Sequence, residues 1–247
     1  MTIMKVTIQK NFIIQTPEEW LFVAPPKGKE NQWKDNYSAK ELAKFATSFE
    51  FSHFLYDLIM MMGSKPSEVV CFPEETTPLP YSSKGPRNHD LLVVGTDFII
   101  GIEAKVNESF SDTLKKEYEN GSQDKKRRIE WMKNILLEEE SDSFDDLKYQ
   151  LFSGTCGTLL EAYRSSEKFN REINKCMFLV LTFDLEGNGG NGRNNEDFHK
   201  FCESIKLEKD HKKIVKINDP EKQSKTKEIT CYVVKKSISL LKQYKVD

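Results

Sequence analysis

Asp90-Leu91-Leu92-Val93-Val94-Gly95-Thr96-Asp97-Phe98-Ile99-Ile100-Gly101-Ile102-Glu103-Ala104-Lys105-Val106 is the stretch that decides the fold. Two Val/Ile-rich runs flank Gly95-Thr96-Asp97, a composition that marks a β-hairpin. A tight turn at Thr96-Asp97 sets Gly95 opposite Phe98 and Val94 opposite Ile99. Counting back places Asp90 opposite Glu103, whereas a loop longer by one residue shifts the pairing by one position. Directly opposed residues hold their Cβ atoms about 4.5–5.5 Å apart. Side chains alternate along a strand, so Lys105 projects on the same face as Glu103. Two carboxylates and one ammonium therefore converge at one end of an apolar hairpin.

Adjacent carboxylates repel, and one pKa rises unless a cation lies between them. A hard divalent ion such as Mg²⁺ suits an oxygen-lined pocket of this kind. Such an ion lowers the pKa of a bound water and stabilises charge on a phosphoryl oxygen. Lys105 can position or deprotonate the attacking water, or offset charge in the transition state. This is the equipment of metal-assisted phosphodiester hydrolysis. The same residues also read as a solvated strand edge held by local ion pairs. The polar run Ser82-Ser83-Lys84-Gly85-Pro86-Arg87-Asn88-His89 leads directly into Asp90. Lys84 and Arg87 within it are candidate phosphate contacts.

Outward from the hairpin, Glu68–Phe72 is β-prone, and Pro73–Arg87, rich in Pro, Ser and Gly, reads as a loop. Upstream, a strand is expected within Met4–Ile14, a helical turn at Pro17–Phe22 that buries Trp20, and helices from Ser38 and over 49–62. Ser38-Ala39-Lys40-Glu41 matches a capping box. Downstream, 112–140 is charged and helical, and 145–164 is a helix capped near Ser143. Lys175–Phe183 is an almost purely apolar strand, covered on both faces and so inside the sheet. The Gly-rich run at 187–192 lacks the spacing of a phosphate loop and reads as a mobile connection. A helix near 195–206 and strands near Lys213–Ile217 and Lys227–Val234 complete the chain. This order predicts one α/β domain over residues 1–247, with a mixed central sheet flanked by helices. Residues 1–35 form an N-terminal lobe and 107–144 a helical insertion.

The chain has 247 residues, 38 % hydrophobic and 31 % charged, with a formal net charge of -2. A wholesale basic character is absent. The stretch from Lys206 to Asp247 nevertheless holds 12 Lys against 6 Asp and Glu. Lys125-Lys126-Arg127-Arg128 adds a compact basic cluster, which could follow a phosphate backbone or serve as a solvated helix face. Five widely spaced cysteines with no CxxC pair imply reduced thiols in a cytoplasm. No apolar run approaches the roughly 18 residues of a membrane helix, so no membrane partner is expected.

With these residues in view, the region resembles the PD-(D/E)xK nuclease superfamily, the restriction-endonuclease-like fold. Its pattern is an Asp entering one strand, Glu-x-Lys on the next, then a helix and a further strand. Here these are Asp90, Glu103-Ala104-Lys105, the helix at 145–164 and the strand at 175–183. The resemblance implies that Asp90 and Glu103 bind Mg²⁺, with Mn²⁺ able to substitute, helped by the main-chain carbonyl of Ala104. It also implies that Lys105 is the catalytic lysine. His89 stands where the family pattern has proline.

Some members carry Gln and a downstream Tyr on the following helix, which points to Gln150 and Tyr163. Others carry a Glu on the first helix, for which Glu41 is the candidate. Trp33–Phe45, Val106–Phe110 and Tyr149–Leu151 together resemble an uncharacterised bacterial branch of the superfamily. The implied activity is nucleic-acid cleavage, with DNA the expected substrate. Two alternatives are a sequence-specific type II restriction endonuclease, usually a homodimer, and a catalytically silent binding or regulatory module.

Overall fold

The computed structural model describes residues 4–81, 85–106, 108–137, 144–184, 192–222 and 225–240. Its strands are β1 (Lys5–Ile8), β2 (Glu68–Thr77), β3 (Arg87–Val94), β4 (Phe98–Lys105), β5 (Lys175–Asp184), β6 (Lys212–Ile217) and β7 (Lys227–Ser239). Its helices are α1 (Pro17–Val23), α2 (Ser38–Ala46), α3 (Phe49–Met61), α4 (Leu114–Glu119), α5 (Gln123–Leu136), α6 (Tyr149–Phe169) and α7 (Gly192–Ser204). All seven strands form one mixed sheet in the order β1-β2-β3-β4-β5-β7-β6. The chain is thus α/β, with apolar clusters on both faces of the sheet.

β3 and β4 pair antiparallel, with Val94 opposite Ile99 and Leu91 opposite Ile102. Gly95 N–H donates to the Phe98 carbonyl at 3.0 Å, which closes the turn in the expected register. β5 runs parallel between β4 and β7, and its eight inner residues are buried. That position explains its nearly unbroken apolar sequence. Parallel β4 and β5 need a crossover, and α4, α5 and α6 supply it. α1, α2 and α3 bring Trp20, Leu42, Phe45 and Leu55 to one face of the sheet. Ile129, Met132, Phe152 and Phe201, from α5, α6 and α7, cover the other. The N-terminal segment contributes the edge strand β1, parallel to β2.

Three local expectations are corrected. β2 continues through Pro73 to Thr77, where a loop was expected. The β1 ladder ends at Cys71, so the missing N–H of Pro73 falls where β2 has a single neighbour. α6 starts at Tyr149 rather than 145, because Leu114 N–H donates to the Leu147 carbonyl and Thr113 bridges Lys148. Its N-cap is Lys148; the expected cap at Ser143 lies outside the described residues, as does 187–191 of the Gly-rich run. Ser38 is the first helical residue of α2, not its cap, and the N-cap Tyr37 makes no side-chain capping bond. A reciprocal capping box occurs instead at α1, between Thr16 and Glu19.

Candidate functional site

β4 is buried along its whole length, and its last residues carry charge into that burial. Glu103 and Lys105 are 3 % and 7 % exposed. Two positions apart, they share a face, and Lys105 Nζ lies 2.9 Å from Glu103 Oε1. Arg87 at the start of β3 brings Nη2 onto Glu103 Oε2. Gln150 in the first turn of α6 donates from Nε2 to Glu103 Oε1. Ser111 fixes Gln150 in turn: its Oγ accepts the Gln150 main-chain N–H at 2.9 Å, and its own N–H donates to Gln150 Oε1 at 3.3 Å.

Asp90 sits one position beyond the last paired residues, Leu91 and Ile102, and so beside Glu103 in the same register. Its Oδ2 accepts the Ala104 N–H at 2.7 Å. The sheet departs from regular alternation here. Leu91 and Val93 pack with the α1–α3 cluster. Two and four residues earlier, His89 and Arg87 lie against Gly101 and against Gly157 of α6, on the opposite face. On the neighbouring strand Glu74 takes a left-handed φ of 48°, and the β2–β3 pairing skips Glu74 and Asp90. The same departure turns Thr77 toward α6, where its Oγ1 donates to Glu161 Oε2 at 3.0 Å.

Glu74, Asp90, Glu103, Ala104, Lys105 and Gln150 line a single cavity of about 430 Å³. Its two facing carboxylates are perturbed in opposite directions. Burial pushes the Asp90 carboxyl up, and the negative charges of Glu103 and Glu74 push it further. Lys105 and the Ala104 N–H offset this only in part, so Asp90 stays well above the usual range. Burial also pushes Glu103 up, but Arg87 and Lys105 outweigh it and hold Glu103 low. For Lys105, burial favours the neutral amine, yet Glu103, Asp90 and Glu108 together raise its pKa. Lys105 is therefore an ammonium at neutral pH. An ammonium has no lone pair with which to take a proton, but it can stabilise negative charge beside it.

The other candidates separate. Gln150 joins the trio. Glu41 does not line the cavity; it is buried in α2, accepting the Asn36 N–H at 2.9 Å and pairing with Lys44 at 3.1 Å. Tyr163 also lies elsewhere, donating to Glu167 Oε1 at 2.8 Å. Arg87 pairs with Glu103 through Nη2, and its buried Nε is left without a hydrogen-bond partner. Lys84 is outside the described residues. In the basic cluster, Lys125 pairs with Glu117, while Lys126 and Arg127 lie over the rings of Tyr118 and Tyr81. Arg128 is buried, donating to the Pro80 carbonyl at 3.3 Å.

Sequence reasoning missed Glu74, which a left-handed residue in a supposed loop hides. It also missed Glu108, whose carboxylate accepts the Val106 and Ser38 N–H groups at 2.6 and 3.3 Å. His89 is fully buried and its pKa falls to about 3, through burial and the charge of Arg87. It is neutral, with Nε2 3.1 Å from Thr77 Oγ1.

Among the described residues, no three His, Cys, Asp or Glu side chains stand in a ready metal-ligand cluster. The donor chemistry of the cavity nonetheless fits a hard divalent cation. Asp90, Glu74 and Glu103 bring carboxylates to its wall, and Ala104 lines it beside them. Burial and the negative charges of Glu103 and Glu74 raise the Asp90 carboxyl, and a cation beside it would offset that charge. No curated protein and no solved structure matches the chain. A family model described as a domain of unknown function (DUF6946) matches residues 13–238, nearly the whole chain, and the protein belongs to that family.

Proposed function

We propose that the protein is a metal-dependent nuclease on a restriction-endonuclease-like core, hydrolysing phosphodiester bonds in nucleic acid, with DNA as the substrate to test first. The observation that carries this reading is the meeting of Asp90, Glu103 and Lys105 in one cavity, with Gln150 on Glu103. The order β3, β4, α6, β5 matches the strand, strand, helix, strand order of the resemblance. Asp90, Glu103 and the Ala104 carbonyl would hold Mg²⁺. When bound, the ion would activate water and stabilise charge on the phosphoryl group. Lys105, charged and aimed by Glu103, would meet the negative charge that builds up in the transition state. Gln150 and Arg87 would hold the Glu103 carboxylate in place.

Asp90→Ala and Lys105→Ala are each expected to abolish cleavage of a plasmid and oligonucleotide panel in Mg²⁺. Full activity in either variant overturns the assignment. The products also separate a sequence-specific restriction enzyme, which leaves discrete fragments, from a non-specific one, which leaves a smear. One observation favours a silent binding module instead: Arg87 already occupies Glu103 Oε2, where a metal would need an oxygen. Calorimetry with Mg²⁺ and Mn²⁺ decides between them, because a trio held by ion pairs alone gives no binding heat.

A further inference from the structure

A second cavity, of about 400 Å³, adjoins the carboxylate cavity and shares Lys27, Arg87 and Asn88 with it. The two differ in charge. Glu74, Asp90, Glu103 and Glu108 line the first. The second is lined by Lys27, Arg87, Lys125 and Arg128, and among the described residues no Asp or Glu stands in its wall, although Glu117 pairs with Lys125. Ser122, the N-cap of α5, also faces it, so that helix adds the positive end of its dipole. The cations come from three separate parts of the chain: the segment after α1, the start of β3, and α5.

These cations are ordered but incompletely used. Arg128 reaches the Tyr149 hydroxyl at 3.5 Å, the long limit of a hydrogen bond. Lys125 Nζ lies 5.0 Å from the centre of the Tyr149 ring and pairs with Glu117. Arg87 Nε is buried and has no hydrogen-bond partner. An unpaired buried guanidinium N–H costs free energy that an incoming acceptor would recover. A polar, cation-lined recess beside an acidic metal-type site is complementary to a tetrahedral oxyanion.

We propose that this second cavity is a phosphate subsite, which takes a phosphate group of the bound strand next to the one being cut. The proposal rests on the nuclease reading for the identity of the strand. The shared chemistry is a phosphate, whether an internal diester or a terminal monoester. Arg87 lines both cavities: Nη2 holds Glu103, while the buried Nε has no partner in the wall. Strand register and the position of the scissile bond would then be set together.

The test measures binding without turnover. Labelled oligonucleotides, with and without a 5′-phosphate, are titrated by anisotropy in Ca²⁺ at several salt concentrations. Lys125→Gln is expected to weaken binding about tenfold, the worth of one charge-assisted contact. It should also reduce the salt slope by about one. Arg128→Lys keeps the buried charge but loses the planar fork, and should weaken binding without unfolding the protein. Lys133→Gln, on the same helix but lining neither cavity, is the control and should bind as wild type.

Loss confined to the 5′-phosphorylated strand identifies a terminal monoester as the ligand, and equal loss on both strands an internal diester. Wild-type affinity and salt slope in both Lys125→Gln and Arg128→Lys overturn the subsite, as does a wild-type protein that shows no salt-dependent binding. The outcome is independent of cleavage. If Lys105→Ala still cuts, the nuclease centre falls while the Lys125 effect on binding stands. If Lys105→Ala is dead and Lys125→Gln binds normally, only the subsite falls.

Discussion

The β3–β4 hairpin has two halves built on opposite principles. In the half next to the turn, Leu91–Val94 pair with Ile99–Ile102 in unbroken register, and every partner is apolar apart from Gly101. In the other half the ladder stops, and Arg87, Asp90, Glu103 and Lys105 are drawn together at the cavity or at Glu103 itself. The first half fills a core and needs only size and hydrophobicity. The second half holds charges away from water and needs each to have a named partner. Regular sheet geometry cannot supply those partners, because period-two alternation sends Arg87 and His89 to the same face as Leu91. The shared distortion at Glu74 and Asp90 breaks that alternation and brings Arg87 to Glu103.

The contrast is broken most severely at Glu103. Glu103→Ala leaves Arg87 and Lys105 as buried cations without their carboxylate. Removing one partner of a buried pair typically costs about 3–5 kcal/mol, and cleavage should fall below detection. Ile100→Ala in the apolar half should cost about 2–5 kcal/mol through its cavity, yet leave the activity of the folded fraction intact. Urea unfolding paired with a plasmid assay checks both. Equal loss of activity per folded molecule in the two variants would mean that the halves are not functionally distinct.

The same contrast explains what the sequence could disclose. The apolar half was legible because alternation, a turn signal and burial all agree, and the register followed from the turn alone. Asp90, Glu103 and Lys105 were legible as an extension of that register. Gln150 was reached through resemblance, since nothing in its own helix period marks it. Arg87 was legible as a cation but not as the partner of Glu103, because the left-handed backbone at Glu74 that turns it inward leaves no pattern in residue type. Glu41 was misplaced for a related reason. A Ser-x-x-Glu spacing reads as a capping box, but the Glu41 carboxylate takes other local partners, Lys44 one turn on and the Asn36 N–H before the helix.

Asp90 and Glu103 should respond oppositely to pH. Glu103 has a lowered pKa, so its stabilising effect is complete above the unfolded carboxylate value and is lost as pH falls through the folded one. Asp90 has a raised pKa, so the folded state retains a proton that the unfolded chain releases. Its contribution therefore falls as pH rises from the ordinary Asp range through the raised folded value. Asp90→Asn removes that penalty while an amide oxygen can still accept the Ala104 N–H. In EDTA the variant should match wild type near pH 4 and exceed it at pH 7, by about 1 kcal/mol if it behaves as an ordinary stabilising replacement. In Mg²⁺ the order at pH 7 should reverse if the ion binds wild type alone. Urea unfolding at both pH values, with and without Mg²⁺, reads all four comparisons. A variant less stable than wild type in EDTA at pH 7 contradicts the strained state of Asp90.

The smallest effect is expected on α6, where two glycines one turn apart face the two kinds of interior. An added methyl at Gly154 would collide with the ring of Phe178, which is fully buried and has nowhere to move. Gly154→Ala should therefore cost about 1–3 kcal/mol, the usual penalty for overpacking. An added methyl at Gly157 would meet the stem of Arg87, Cγ at 2.9 Å and Cβ at 3.2 Å, an unbranched chain that can shift more readily than a packed ring. Arg87 can yield by drawing back from Glu103. The alanine meanwhile gains about 1 kcal/mol of helix propensity over glycine, which offsets the weakened ion pair. Gly157→Ala should thus leave neutral-pH stability almost unchanged. With Arg87 displaced but still paired, the largest influence holding the Glu103 pKa down is weakened, so acid unfolding should begin at a higher pH than in wild type. Circular dichroism along a pH titration measures that shift. An unmoved acid transition would show that Arg87 keeps its place on Glu103 and that the charged half of the site is as rigid as the apolar one.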